Sequence, residues 1–279
     1  MSDDYKPVLR AGSDPVVFFK YPGAGDAGNI STGQVMVSAL SRSLRDGEVV
    51  VMGANSMIPL AAARLAQLTH APNLTILAGA SGAVNTLVEP LVPSSGDYAN
   101  LVAEAVLPFP EVLMLQLGGR TDVFFVGGLQ IDRHGNCNLA LVGDRERPTL
   151  RGPGSAAIAW AARSGRAILY TTSHTPRVFV PRVDFVSLAG WTEPGERWGG
   201  IGAEPAMVVT PLAVMDFSQD GLMRLVSTHP GVSMDKVVEN TGFDLIMPEG
   251  EVPATPEPTP EELRLMRDFD VDGLLALVV

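Results

Sequence analysis

The sequence predicts an α/β protein: an open, mostly parallel sheet with helices on both faces. Three observations predict it. Near-continuous apolar runs recur, each ending in glycine, as in EVVVMG (48–53) and LTILAG (74–79). Between them lies MIPLAAARLAQLTH (57–70), whose apolar residues fall at helical spacing. Strand–helix–strand with strands apolar on both faces marks a βαβ unit in a parallel sheet. Lastly, glycine numbers 29 and proline 22 among 279 residues, more than the usual share of about 12%. No repeat carries them, so they read as turns between many short elements.

The elements follow in order. Residues 1–30 form an extension in which an apolar run, Val16 to Phe19, meets PGAGDAG. Residues 31–247 read as one domain. Gln34 to Leu44 is helical, and Asp46-Gly47 stops it. The 48–53 strand, the 57–70 helix and the 74–79 strand come next, with Pro72-Asn73 breaking the helix. DYANLVAEAVL (97–107) and EVLMLQL (111–117) read as helices. VFFVGGLQID (123–132) is a strand interrupted by glycines, RHGN (133–136) a tight turn, and NLALVG (138–143) the strand after it. RGPG (151–154) opens a small-residue helix through Ser164. RAILYTT (166–172) and VDFVSLAG (183–190) read as strands. Two β-rich runs (207–217 and 222–229) flank the turn SQDG. MDKVVENTG (234–242) is a helix and FDLIM (243–247) a last strand. The Pro-rich stretch 248–260 reads as an extended linker, and 261–279 as a terminal helix and tail.

Composition narrows the function. The chain is 46% apolar and 18% charged, a globular balance. Lys and Arg number 20 against 31 Asp and Glu, a net charge of −11. Nucleic acid needs a basic stripe to displace its counterions, and anionic lipid attracts the same cations. Neither partner fits. One cysteine, Cys137, excludes disulfide frameworks and zinc-finger spacing within the chain, and suits a cytoplasmic setting. The four histidines are scattered and suggest no metal site.

Chemistry in an open α/β sheet sits at the carboxyl ends of the strands. Four glycine-rich turns fall there: Gly53–Ser56, Gly79–Gly82, Gly127–Gly128 and Gly152–Ser155. Glycine admits a ligand close to the backbone, and a following helix offers free N–H groups to an oxyanion. Any one of these turns is more simply read as a turn; four together argue for a shared cleft, though not for a particular reaction. Gly23–Gly28 matches G-x-G-x-x-G, but turn residues follow it and Glu48 opens its strand instead of ending it. It therefore lacks the context of a dinucleotide fingerprint. Ser81 follows a strand without the G-x-S-x-G elbow. Arg151, beside Gly152-Pro153-Gly154, is a candidate clamp for a carboxylate or phosphate; a surface ion pair is the plain alternative.

Five segments, in order, carry a resemblance: IPLAAARLAQLTHAPNLTI, FFVGGLQIDRHGNCNLALVG, RGPGSA, TSHTPRVFVPRVDFVSLAGW and MRLVSTHPGVSMDKVVENTGF. From about Val51 to the C-terminal helix the chain resembles the β subunits of family I coenzyme A transferases, especially the glutaconate CoA-transferase branch. The resemblance implies a homologous α subunit in a heterodimer or heterotetramer, an active site between the two, and coenzyme A thioesters as substrates without a metal. In the transferases a β-subunit glutamate accepts the acyl group and then carries CoA, which is covalent catalysis by a carboxylate. Its place falls at about Gly79, in Ala78-Gly79-Ala80-Ser81-Gly82, and no carboxylate follows until Glu89. Relatives without that glutamate open a ring hydrolytically in steroid catabolism, with the base on the α subunit, or decarboxylate a branched glutaconyl-CoA. The resemblance then implies that Arg151 binds a substrate carboxylate or enolate. Gly79, Gly127, Gly128, Gly152 and Gly154 would line the thioester site, with Ser81 beside it. Hydrolysis or C–C cleavage is favoured over transfer. Transfer through a carboxylate elsewhere, and a non-catalytic subunit that supplies a cleft wall, are the alternatives.

Overall fold

A computed structural model of the chain describes residues 30–87, 90–155, 161–191 and 205–278. The Gly23–Gly28 motif, Glu89 and the central part of the expected 154–164 helix lie outside them. The elements run α1 (Thr32–Arg42), β1 (Val49–Met52), α2 (Met57–Leu68), β2 (Thr75–Ala78), β3 (Ala83–Thr86), β4 (Ala103–Val106), α3 (Phe109–Leu117), β5 (Val123–Gly127), β6 (Gln130–Ile131), β7 (Cys137–Asn138), β8 (Leu141–Gly143), β9 (Pro148–Arg151), β10 (Arg166–Tyr170), β11 (Pro205–Val209), β12 (Ala213–Phe217), β13 (Met223–Thr228), α4 (Met234–Glu239) and α5 (Pro260–Phe269).

Nine strands form one sheet in the order β13-β12-β11-β10-β5-β1-β2-β3-β4. The middle five, β11, β10, β5, β1 and β2, are mutually parallel. Antiparallel hairpins extend the sheet on both sides. The middle strands are buried along nearly their whole length, which is why they lack apolar–polar alternation. One face packs Met36, Leu40, Ile58, Leu65 and Phe269 from α1, α2 and α5 against Met52 and Ile168. The other gathers Val112 of α3, Phe124, Leu169, Phe179 and Val237 of α4.

Local chemistry sets the helix ends. Ser31 and Gln34 form a capping box that opens α1, as Thr259 and Glu262 do for α5, with Pro260 in its first turn. α1 and α5 are then bound together. Arg42 pairs with Glu262 at 2.6 Å and donates to the carbonyls of Pro256 and Glu257. Ser31 Oγ donates to the Leu275 carbonyl, against which a Cβ on Gly33 would collide.

Several expected elements differ. Residues 97–107, expected as a helix, form a short 3-10 turn and then β4. The Asp97 side chain accepts from Ala99 N, and pairing with β3 takes the backbone after that. The expected strand 138–143 is split: Asn138 Oδ1 accepts from Ala140 N, leaving β7 and β8 in separate hairpins. The run 183–190 makes only a bridge at Leu188, and 243–247 only one at Ile246. The run 207–217 is two strands turned at Thr210, whose hydroxyl accepts from Leu212 N and Ala213 N.

Candidate functional site

The parallel strands deliver their carboxyl ends to one edge of the sheet, and the glycine turns meet there. Gly79 N donates to the Met52 carbonyl at 2.9 Å, which sets the turn after β2 against the turn after β1. A Cβ on Gly79 would lie 2.9 Å from that oxygen. The turn after β1 continues through Asn55, which adopts φ +54°, a left-handed conformation uncommon outside glycine. Its N–H donates to Ser94 Oγ, and its carbonyl accepts from the Tyr170 hydroxyl at 3.2 Å. Tyr170 ends β10 and lies against Gly127, where a Cβ would touch its ring at 3.6 Å. Burial raises the Tyr170 hydroxyl's pKa, with Cys137 adding to the shift. The phenol therefore stays protonated and donates.

Gly128 is tighter. A Cβ there would collide with Cys137 Sγ, so only glycine lets β7 close over this turn. The Cys137 thiol is pushed up to about 12 by burial and by Asp132. It is a buried thiol, not a nucleophile. The β8–β9 hairpin then folds onto the same place. Gly152 N donates to the Ala140 carbonyl and Gly154 N to that of Leu139. A Cβ on Gly152 would collide with Leu139 O and meet the Leu129 side chain at 2.7 Å. Arg151, at the end of β9, is exposed. It forms no ion pair among the described residues.

The turns are thus contiguous along one edge, but they are not alike. Gly53–Ser56 leads into the N-terminus of α2, as the helix–oxyanion expectation requires. Gly79–Gly82 leads instead into β3, a hairpin in which Gly82 holds φ +76° and its N–H bonds to Ala78 O. Gly127–Gly128 leads into the β6–β7 hairpin. Ser81 is half-buried in the hairpin turn: its hydroxyl donates to Ala78 O and accepts from Ala83 N. Tyr170 does not stand out in the sequence, because its bond to Asn55 spans 115 positions and leaves no local signal.

Two buried histidines lie beyond β10 and β13. His174 contacts the hydroxyls of Thr210 and Thr241, and His229 the Thr255 hydroxyl and the Thr210 carbonyl. Burial lowers both to about 4, so both are neutral near pH 7. His229 thereby ties the loop after β13 to the turn after β11. A cavity of about 250 Å³ lies beside α2, lined by Leu60, Arg64, Ile76, Leu87 and Asn100 among others, and includes none of the glycine turns. Among the described residues no group of three or more His, Cys, Asp or Glu is arranged to hold a metal ion, and no helix is long and apolar enough to cross a membrane.

Comparison with known proteins agrees with this architecture. The family model for coenzyme A transferase matches residues 34–240. The chain is 34% identical over 247 residues to the B subunit of 3-oxoadipate CoA-transferase from Pseudomonas knackmussii, covering 86% of this chain and 93% of that protein. It is 36% identical over 222 residues to the cholesterol ring-cleaving hydrolase IpdB subunit of Rhodococcus jostii, covering 76% and 81%. The solved decarboxylase AibA/AibB superposes with a TM-score of 0.77 at 27% identity, covering 90% of this chain and 99% of that one. A transferase, a hydrolase and a decarboxylase therefore share this scaffold. The chain belongs to the coenzyme A transferase family, as a homologue of its B subunits.

Proposed function

We propose that the chain is the β subunit of a two-subunit enzyme that hydrolyses an acyl-CoA or cleaves a C–C bond in it, rather than transferring CoA. The observation that carries this reading is the turn after β2. It is Gly79-Ala80-Ser81-Gly82, and the stretch 49–88 holds no Asp or Glu at all. Transfer through the enzyme needs a carboxylate that accepts the acyl group as an anhydride and then CoA as a thioester. Neither a glycine nor a hydroxyl committed to a hairpin supplies it. The hydrolase and decarboxylase relatives support the same reading.

In this role Arg151 holds a substrate carboxylate or a developing enolate, as a bidentate cation does. Gly154, where nothing lies within 4 Å of a Cβ, leaves room for the thioester against the backbone, and the packed turns at Gly127–Gly128 and Gly152 form the wall beside it. The general base comes from the α subunit. The substrate is a coenzyme A thioester, and no metal is needed. A second reading, true CoA transfer, draws on the 3-oxoadipate transferase relative; it requires an acceptor carboxylate elsewhere.

Mass spectrometry of the complex after incubation with candidate acyl-CoAs, quenched with borohydride or hydroxylamine, separates them. The expected result is an unmodified chain with free CoA or a cleaved product in solution. A carboxylate of either subunit trapped as the alcohol by borohydride or as the hydroxamate by hydroxylamine, the marks of an anhydride or a CoA thioester, would overturn the proposal in favour of transfer.

A further inference from the structure

The two edges of the sheet are finished differently. The outer edge of β13 is sealed by the chain itself. Leu225 N donates to Ile246 O, Thr228 N to Pro253 O, and Thr255 N to Thr228 O. At the other end, β4 pairs with β3 alone among the described residues. An open edge strand is a template for another chain, and proteins normally blunt it with charge, proline or cover. Here Glu104 is the one charge on the strand, and exposed apolar side chains flank it. Tyr98 is 86% exposed, Val102 60%, Phe109 55% and Met114 66%, with Leu101 and Val106 also exposed. They fall within residues 98–117, the 3-10 turn, β4 and α3. So many exposed apolar side chains within one 20-residue segment mark an interaction site, and a stable interface takes about 20–30 residues from each side.

Charge decides what covers it. Residues 98–117 contain Glu104 and Glu111 and no lysine or arginine. Two copies of this chain facing each other here would gather four carboxylates and no cation. Position points the same way. β4 ends beside the turn after β2, where Leu107 N donates to Gly82 O, so an occupant of this face reaches the glycine-lined edge. We infer that the β4–α3 face seats the α subunit, through an apolar surface that carries lysine or arginine opposite Glu104 and Glu111. The inference rests on the two-subunit reading above and adds the surface and its chemistry.

The test uses the chain co-expressed with the α subunit that completes its activity. Val106→Lys and Met114→Lys place charge on the exposed face, and Val271→Lys does the same at an apolar side chain elsewhere that is 62% exposed. Expected are at least 100-fold weaker association for the first two, unchanged melting of the free chain, and wild-type assembly of the third. Hydrogen exchange should slow over 98–117 in the complex and stay unchanged over 223–228. If the wild-type complex forms and both variants assemble as well as it does, the surface is misassigned and the two-subunit reading stands. If the variants only split a homodimer while the α subunit still associates, the occupant is a second copy and the inference fails. If no α subunit associates with the wild-type chain, the two-subunit reading falls and takes this inference with it.

Discussion

At the scale of single residues, the glycines were legible in the sequence and their reasons were not. Gly128 stands out as half of a pair after a strand, yet what requires it is Cys137, brought back against it by a hairpin. Gly128→Ala must move that sulfur or the turn, and should cost about 1–3 kcal/mol, read as a lower midpoint in urea unfolding. Arg151 was legible as a cation beside a glycine turn, and the structure leaves its side chain in solvent. Arg151→Ala should leave the melting temperature unchanged, as exposed substitutions do. Turnover by the complex should fall about 100-fold, or roughly 3 kcal/mol of transition-state stabilisation. Unchanged kcat/KM in that variant would remove Arg151 from the site. Tyr170 and Asn55 were illegible as a pair, because a hydroxyl-to-carbonyl bond across the chain has no sequence signature.

At the scale of elements, the helices α1 and α2 and the continuously apolar strands β1, β2, β5 and β10 were read correctly, and competition decided the failures. Residues 97–107 have helical spacing, but an edge of β3 was free to be paired and won the backbone. The strands expected over 183–190 and 243–247 are interrupted by Asp184, Ser187 and Asp244, and each pairs with a neighbour at one position only. α5 was legible as a helix, while its docking on α1 and α2 was not. That docking depends on Arg42, which bonds Glu262 in two places and two carbonyls of the segment before α5. The pair is only partly exposed, so it is worth more than a surface ion pair. Arg42→Ala should cost roughly 2 kcal/mol. Amide exchange over 260–269 should speed up first, since the loosened helix opens below the global barrier.

At the scale of the whole molecule, the βαβ unit predicted a parallel sheet, but not its order. Strands that are neighbours in space, such as β5 with β1 and β10, are separated in sequence by whole elements. Acid sensitivity also belongs to this scale. His174 and His229 tie the β10–β11 end of the sheet to α4 and to the strap at Thr255. Each has a folded pKa of about 4, depressed by burial from 6.5. The unfolded chain therefore binds more protons between those values. Stability is fully present above about pH 6.5 and falls as pH drops toward 4, by up to roughly 3 kcal/mol per histidine. Melting temperature should decline between pH 7 and 4.5, and the slope should flatten in the double variant His174→Gln, His229→Gln. The clasp between α1 and the segment after α5 has a kinetic consequence. α1 is synthesised early, yet its N-cap Ser31 and its Gly33 both meet Leu275, more than 200 positions later. Closing so long a loop is slow relative to local folding. A ribosome-bound nascent chain thus carries a sheet whose first helix is half-clad, and the final register of that helix awaits the emergence of residue 275.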